Sequence, residues 1–487
     1  MSKKIPFIAS AILLAGIATI STYASNIVSN HVTASPPSRD ASPATNQPNI
    51  IFILSDDVAQ GDIGCYGQKL IQTPNLDRMA AQGTRYTQAY CGSSICAPSR
   101  TSLMTGLHPG HSPVRGNYEI PAKSAFGAGQ LPLPESTVTV AQILKSAGYA
   151  TACTGKWGMG QFDTTGSPLK KGFDHFYGYN GQIQAHEYFP PALYLNDQRI
   201  ELPENKNGAK KIYAPDLILK DTLDWVRAHK DGPFFLYDAT TLPHFRYEIN
   251  DLGEYAHREG WTPQQKTYAA MVTRLDRDVG ALFSLLKELK IDTKTLVIFA
   301  GDNGSALEPN TPIGKLFDQS MGGKLRDAKG SMYEGGLRQA GIARWPGVIP
   351  AGRVSEEPWA FWDFLPTAAE IADAKIPASC HPDGLSLVSF LKGGPAPKRD
   401  YFYWELHAGE PLTAMQAVRF GDWKAVKNRP NAPVELYNLR EGSDEKTNLA
   451  ASHPDLVEKA SNLMRQAHVD DPNWPMQPPP KAKQPEK

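Results

Sequence analysis

Two uninterrupted apolar segments of the chain each end in a pair of oxygen-bearing side chains. The first segment leads into Asp56 and Asp57, and the second leads into Asp302 and Asn303. Apolar runs without alternation are typical of strands buried on both faces of a parallel sheet, and ligands collect at the carboxyl ends of such strands. Three carboxylates meeting there would repel one another unless a cation lay between them, and ligation by oxygen alone favours calcium or magnesium. The alternative is that each pair only caps the turn that follows its strand.

The segment CAPSR places Cys96 at the predicted start of a helix. Pro98 suits the first turn, so Cys96 would stand just before the helix, near the positive end of its dipole. Arg100 lies four residues further on and can face the same way. A thiol in this position is unusually acidic and could act as a nucleophile or be chemically modified. An isolated C-x-x-x-R pattern, however, would favour a structural cysteine beside a surface arginine.

Three cationic side chains follow other strand-like segments. Lys156 follows YATACTG, His244 follows a strand that ends in TTLP, and Lys329 lies in RDAKGSMYEGG. Each alone is more often a solvated surface group or a histidine with its own internal partner. Together with Arg100 they would form a cationic pocket beside a metal, which suits the negative oxygens of a sulfate or a phosphate.

The composition limits the remaining possibilities. The 487 residues are 41% hydrophobic, which is more than one core usually holds, so we expect two domains. Lys and Arg number 50, and Asp and Glu number 50, so the overall charge favours neither nucleic acid nor an anionic membrane as a partner. The five cysteines lack zinc-site spacing and are expected mostly as buried free thiols.

Both ends of the chain differ in composition from its interior. Residues 1–24 have a basic start, a short apolar run and a small-residue end, which is typical of a signal peptide; an uncleaved membrane anchor is the alternative. Residues 25–46 predict a flexible leader, and residues 471–487 predict a Pro-rich tail that is disordered or loosely draped. No later stretch is long and apolar enough to span a membrane, so we expect an exported protein, periplasmic or secreted, without a membrane span in the mature chain.

Strand-like and helical segments alternate through most of the chain. This pattern predicts an α/β fold over residues 47–378, in which helices flank a large, mostly parallel sheet. A long amphipathic helix is predicted from about residue 263 to residue 289. Short strands and one closing helix then predict a smaller C-terminal α+β subdomain over residues 379–470, made of an antiparallel sheet and a helix.

The motif around Cys96 resembles the signature of a known family. CAPSR followed by TSLMTG is similar to the C-x-P-S-R-x-x-x-x-T-G signature of type I sulfatases, the formylglycine-dependent members of the alkaline phosphatase superfamily. The segments SDD, GKW, KKGFDHFYG, a Pro-His pair, GDNG and KGSMYEGGLR agree with the family in their order, from about Pro48 to the closing helix. Bacterial carbohydrate sulfatases are similar, which implies a hydrolase of sulfuric esters.

The resemblance implies a role for each candidate residue. A separate maturation enzyme would convert Cys96 to formylglycine (3-oxoalanine), an aldehyde that hydrates to a geminal diol. Arg100 would hold this residue, Lys156 and Lys329 would grip the sulfate ester, and His244 would lie near the leaving oxygen. One calcium ion would be bound by the following residues: Asp56, Asp57, Asp302, Asn303 and the modified Cys96.

The reaction that the resemblance implies has two steps. One oxygen of the diol attacks sulfur, and the C–O–S bridge breaks as His244, with Lys329, stabilises or protonates the leaving alcohol. The second hydroxyl of the diol then loses its proton, and sulfate is expelled as the aldehyde forms again.

The chain departs from the family pattern at two positions. The family usually has G-K-W-H-x-G, whereas Gly158 here replaces the histidine that assists the diol. His108 and His111 follow the signature and are candidate substitutes for that proton acceptor. Leu107 stands where the family usually has an arginine after T-G.

The loop after the GFDHF motif supplies candidates for substrate recognition. Its residues His186 and Tyr188 could contact a sugar, although an ordinary ordered loop is the alternative. We expect the substrate to be a sulfated carbohydrate, and specifically a sulfated galactose or N-acetylgalactosamine unit of a polysaccharide. Two other functions stay open: a phosphodiester or phosphonate monoester hydrolase on the same fold, and a catalytically inactive glycan-binding relative.

Overall fold

A large sheet forms the centre of the described chain. The computed structural model describes residues 47–120, 129–317, 325–409 and 413–477, so the predicted signal peptide and leader lie outside the described residues. The first strands in chain order are β1 (Asn49–Ser55), β2 (Thr84–Tyr90), β3 (Glu119–Ile120), β4 (Gly129–Gln130), β5 (Ala150–Lys156), β6 (His175–Tyr179) and β7 (Ala192–Leu195). They are followed by β8 (Gln198–Glu201), β9 (Phe234–Ala239), β10 (Thr295–Gly301), β11 (Arg338–Arg344), β12 (Arg353–Ser355) and β13 (Trp359–Ala360).

The large sheet is mostly parallel. Its strands pair in the order β12-β2-β11-β10-β1-β9-β5-β6-β7-β8, with β13 beside β2, while β3 and β4 pair separately. The central strands β10, β1, β9, β5 and β6 run parallel to one another. Strand β11 is antiparallel to both β10 and β2, and β7 and β8 are antiparallel to their preceding neighbours. The predicted fold class, α/β with a large, mostly parallel sheet, is confirmed.

Helices and short helical turns connect these strands. They are α1 (Pro74–Ala81), α2 (Cys96–Thr105), α3 (Val140–Ser146), α4 (Ala214–Ala228), α5 (Pro263–Glu288), α6 (Pro312–Phe317), α7 (Glu334–Leu337), α8 (Phe364–Ile371) and α9 (Val388–Leu391). Side chains of α2, α3 and α8 pack into one hydrophobic core, and those of α1, α4 and α5 pack into another.

Strand β1 lies between these two cores. Ile50, Phe52 and Leu54 pack into the first core, while Ile51 and Ile53 pack into the second. Because successive side chains of a strand point to opposite faces, a strand covered on both faces must be apolar throughout. This burial explains the uninterrupted apolar segment that precedes the two acidic residues.

The long amphipathic helix predicted near residues 263–289 is α5. Thr262 accepts a hydrogen bond from the backbone amide of Gln265, which caps the first turn, and Pro263 occupies the first helical position. The predicted apolar stripe is buried in the second core; it comprises Met271, Leu275, Val279, Leu282 and Leu286.

A second sheet follows near the C-terminus. Strands β14 (Phe402–Ala408), β15 (Thr413–Phe420), β16 (Trp423–Lys427) and β17 (Glu435–Asn438) pair antiparallel in that order. Helix α10 (Pro454–Ala467) buries Ala460 and Met464 against this sheet. The predicted antiparallel sheet with a closing helix is confirmed, whereas the domain boundary between residues 378 and 379 stays a prediction.

Three smaller predictions concern the tail, the thiols and membrane spans. In the described part of the tail Trp474 is fully buried, and its indole donates to the Pro113 carbonyl at 2.8 Å, so this part is anchored. All five cysteines are free thiols, and three of them are buried. Every helix in the described residues is too short or too polar to span a bilayer.

Candidate active site

Four oxygen-bearing side chains lie together at the carboxyl edge of the main sheet. Asp56 and Asp57 follow β1, and Asp302 and Asn303 follow its parallel neighbour β10. All four are buried. The Asp57 backbone amide donates to Oδ1 of Asp302 at 3.1 Å, and the Asn303 side chain donates to Oδ1 of Asp57 at 2.7 Å. The structure thus brings together the residues predicted at the two strand ends.

This cluster fits a cation. Burial, followed by the charge of Asp56, raises the pKa of Asp302, as expected where carboxylates crowd one another. Oδ1 of Asn303 is buried and lacks a hydrogen-bond partner in the described part of the chain. The following side chains also place ligand atoms within 4.8 Å of one another: Asp56, Asp57, Cys96 and His244. A positive ion here would give the orphaned amide oxygen a partner and offset the carboxylate charges.

Cys96 lies beside the carboxylates at the beginning of α2. The helix begins at Cys96 itself, after an extended Ile95, and not one residue later as the position of Pro98 suggested. The cysteine is 2% exposed, and its Sγ lies 3.8 Å from Oδ1 of Asp56. The next backbone amide, that of Ala97, donates to Oδ1 of Asn117 at 2.9 Å. The first turn is therefore fixed where it presents Cys96 to the acidic cluster.

Arg100 is buried within the same cluster. Its Nε and Nη2 donate to Oδ2 of Asp302 at 3.0 and 2.8 Å, and its Nη1 donates to the Lys156 carbonyl at 3.1 Å. Burial lowers the pKa of this guanidinium, but Asp302, Tyr237 and Asp56 together raise it well above its usual value. Arg100 is therefore a fixed positive charge of the site and not a surface arginine.

The other three predicted cationic residues surround the acids. Nζ of Lys156 lies 2.8 Å from Oδ2 of Asp56, and Nζ of Lys329 lies 2.5 Å from Oδ1 of Asp57. Nε2 of His244 lies 3.2 Å from Nζ of Lys329 and 3.5 Å from Oδ2 of Asp57. Burial lowers the pKa of His244, but the charges of Asp56 and Asp57 outweigh it and raise the pKa above its usual value. The cationic residues predicted from separate segments of the sequence thus meet in one pocket.

Only one of the two predicted sugar contacts faces this pocket. The rings of His186 and His244 stack with centroids 4.2 Å apart and planes 16° apart. Burial and then His244 lower the pKa of His186 to about 4, so its imidazole is neutral near pH 7. Tyr188 is fully buried, and its hydroxyl lies 2.7 and 2.8 Å from the carbonyl oxygens of Thr241 and His244. This arrangement gives no support to the predicted sugar contact of Tyr188, because the ring lies beneath the backbone that carries His244.

His108 and His111 lie beyond the far end of α2. The helix separates them from Cys96 by about 15 Å, at a rise of 1.5 Å per residue. Their rings stack on each other with centroids 4.3 Å apart, and Nδ1 of His111 lies 2.8 Å from Oδ1 of Asp383. The structure does not bring either histidine to the pocket, so the geometry gives no support to their predicted role as proton acceptors.

Two further residues of the site were not predicted from the sequence. Asn117 holds the first turn of α2, and the side chain of Gln182 lies against Gly158. A Cβ built on Gly158 would meet Nε2 of Gln182 at 2.1 Å, and Gly158 has a φ of +73° that disfavours any side chain. No motif marks either residue, because each acts through a contact between distant segments.

Comparison with known proteins agrees with this geometry. A family model described as Sulfatase matches residues 48–374. The chain belongs to the sulfatase family. It is 32% identical to the dog N-acetylgalactosamine-6-sulfatase over 412 residues, which cover 79% of this chain and 72% of the relative. It is 35% identical to human arylsulfatase A over 398 residues, which cover 78% and 74% of the two chains. This sulfatase is therefore a sulfuric ester hydrolase.

A solved structure shows the same fold. The crystal structure of Ps i-CgsB in complex with k-i-k-neocarrahexaose has a TM-score of 0.75 and 28% sequence identity, and the likeness covers 88% of this chain and 95% of that chain.

Proposed function

We propose that this chain is an exported, calcium-dependent carbohydrate sulfatase whose nucleophile is made from Cys96. The observation that carries the proposal is the position of Cys96, with its Sγ 3.8 Å from Oδ1 of Asp56, inside a buried pocket that also holds Arg100, Lys156 and Lys329. An anionic ester entering this pocket would meet both a nucleophile and compensating positive charge.

Asp56, Asp57, Asp302 and Asn303 would hold one Ca²⁺ ion, together with the modified Cys96. The orphaned Oδ1 of Asn303 and the all-oxygen character of the strand-end residues support this ion. When bound, the ion supplies positive charge that favours the ionised form of a nearby hydroxyl. Formylglycine, made by a separate maturation enzyme, supplies a hydroxyl nucleophile on its hydrated aldehyde.

The cationic side chains would bind the sulfate group and assist the leaving alcohol. Lys156 and Lys329 each carry an ammonium group that now contacts a carboxylate and can also face sulfate oxygens. His244 would donate a proton to the oxygen of the departing alcohol, since its Nε2 lies in the pocket, 3.2 Å from Nζ of Lys329. Arg100 positions the cluster through Asp302 and the Lys156 carbonyl.

The substrate we propose is a sulfated galactose or N-acetylgalactosamine unit. The names of two similar proteins support this choice: one is an N-acetylgalactosamine-6-sulfatase, and the other was solved in complex with k-i-k-neocarrahexaose. Export to the periplasm or the medium follows from the predicted signal peptide and suits an enzyme that acts on polysaccharides.

Two measurements test the proposal. Peptide mass spectrometry of protein from the native host should show a loss of about 18 Da at Cys96, which marks conversion of the thiol to the aldehyde. Initial rates on paired aryl sulfate and aryl phosphate esters should favour the sulfate, and Cys96→Ala should abolish turnover. Faster phosphate hydrolysis would support the phosphodiester or phosphonate hydrolase, and an unmodified thiol without turnover would support the inactive glycan-binding relative.

A further inference from the structure

Two exposed apolar side chains lie close to the stacked histidines along the chain. Ile183 precedes His186 by three residues and is 62% exposed, and Phe245 follows His244 directly and is 57% exposed. Few large apolar side chains of the described residues are so accessible; the others are Tyr118, Val354 and Val469. Exposed apolar groups beside a polar pocket commonly mark a surface that binds a ligand.

The segment that carries Ile183 also presents unused hydrogen-bonding groups. The ring nitrogens of His186 have no hydrogen-bond partner in the described chain, although the ring is held in place by its stack on His244. Gln182 is 4% exposed, and its Oε1 is buried without a partner among the described residues. Because an unpaired buried amide oxygen is unfavourable, this atom is suited to accept a hydrogen bond from a ligand hydroxyl.

The glycine at position 158 makes room for this arrangement. Nε2 of Gln182 lies 3.4 Å from the Gly158 carbonyl, in the space that a side chain at position 158 would need. Gly158 is two residues from Lys156, whose Nζ contacts Asp56. The departure from the family motif therefore places the amide of Gln182 next to the segment that carries Lys156.

We propose that Gln182, Ile183, His186 and Phe245 form a subsite that binds the pyranose ring to which the sulfate ester is attached. A pyranose has apolar C–H faces, which suit a phenyl ring and an aliphatic side chain, and hydroxyl groups, which suit an imidazole and an amide. Apolar walls with a few polar groups are the usual composition of small-molecule sites. The inference rests on the proposed sulfatase function and deepens it, since it assigns the residues that select the sugar.

The test compares sugar esters with an ester that has no ring. The probes are D-galactose and N-acetyl-D-galactosamine carrying one sulfate at position 4 or 6, and ethyl sulfate. The quantity measured is the ratio of kcat/KM for the best sugar sulfate to kcat/KM for ethyl sulfate. Phe245→Ala and His186→Ala should each lower this ratio by about fivefold to tenfold, the size expected for one lost contact to the ring.

Two matched variants control for indirect effects. Val354→Ala removes an apolar side chain elsewhere that is 51% exposed, and it should leave the ratio within about twofold of the wild type, since isolated surface contacts contribute little. Phe245→Tyr keeps the ring and should restore most of the ratio that Phe245→Ala loses. Melting temperatures measured alongside identify any variant that has lost its fold.

The outcomes separate the subsite from the proposed function. The subsite is overturned, while the sulfatase stands, if kcat/KM of the wild type for ethyl sulfate equals that for the best sugar sulfate. The same holds if both alanine variants keep the wild-type ratio. If the matured wild type hydrolyses none of the five esters, the proposed carbohydrate sulfatase is overturned as well. Binding of the same sugar sulfates to the Cys96→Ser protein, measured by calorimetry, should weaken with Phe245→Ala by a similar factor.

Discussion

Arg100 donates from Nε and from Nη2 to the same carboxylate oxygen, Oδ2 of Asp302, at 3.0 and 2.8 Å. Nη2 also lies 3.5 Å from Oδ1 of Asp56, and Nη1 donates to the Lys156 carbonyl. One buried guanidinium therefore connects the carboxyl ends of β10, β1 and β5. Its planar, many-donor shape allows this, and an ammonium group lacks the donors to reproduce it.

We expect Arg100→Lys to lower kcat by about 100-fold or more, since small displacements of groups that must align with the reacting atoms are costly. Arg100 lies in the CAPSR motif, so the fraction of Cys96 converted to aldehyde must be measured by mass spectrometry and the rate expressed per converted enzyme. Arg258→Lys, an arginine that lies over the ring of Trp261, is a matched control and should leave the rate unchanged. Near-normal turnover by Arg100→Lys enzyme in which Cys96 has been converted would contradict this role of the guanidinium.

Calcium should stabilise the folded protein. A ligand that binds only the native state raises the melting temperature as its concentration rises above its dissociation constant. We therefore expect chelator-treated protein to gain several degrees on addition of Ca²⁺, and less on addition of Mg²⁺, which prefers a more rigid octahedral site. Asn303→Ala removes the orphaned amide oxygen and should weaken the response, whereas Asn438→Ala, in β17, should not. A melting temperature that does not change on addition of Ca²⁺ would argue against a calcium site.

Several features of the site were predictable from sequence because they depend on local pattern. The apolar runs of β1 and β10 reflect burial on both faces, and acids after such strands must meet at one edge of a parallel sheet. The stripe of α5 follows from helical periodicity. These inferences needed only neighbouring residues and the general geometry of strands and helices.

Other features depend on contacts that no local pattern reveals. His108 and His111 are close to Cys96 in sequence, but the rigid helix α2 carries them to its opposite end. Tyr188 is of a residue type that often contacts sugars, yet it is buried beneath the His244 backbone. The antiparallel insertion of β11 between β10 and β2 depends on strand order, which alternation of elements does not determine.

Lys424 connects the C-terminal sheet to the segment that follows Lys329. Its Nζ lies 2.8 Å from Oε1 of Glu334 in α7 and 2.9 Å from Oε1 of Glu445, and all three side chains are buried. Lys424→Met would leave two buried carboxylates without this partner, so we expect a loss of about 3–5 kcal/mol in the free energy of unfolding, measured by urea denaturation. Lys446→Met removes an exposed ion pair with Asp444 and should cost less than about 1 kcal/mol. Equal effects of the two substitutions would contradict the importance of the buried contact.

Asp238 in β9 should destabilise the protein as pH rises. Removal from water, followed by the nearby charge of Asp278, raises its pKa from 3.8 to about 7, and the Thr154 hydroxyl lies 3.2 Å from its Oδ1. Because the folded state binds this proton more tightly than the unfolded state does, the contribution of Asp238 to stability falls as pH rises from about 4 to about 7. Above that range Asp238 is ionised in both the folded and the unfolded state, so its unfavourable contribution to the free energy of unfolding no longer changes with pH.

Asp238→Asn removes this titration and keeps an oxygen that can accept from Thr154. Relative to the wild type, the variant should therefore gain stability between pH 5 and pH 8, on the order of 1 kcal/mol or more, measured by urea denaturation at each pH. Asp231→Asn changes an exposed carboxylate with one weak surface pair and should show no such gain. A variant that loses stability relative to the wild type over this interval would show that Asp238 is ionised and favourably paired in the folded protein.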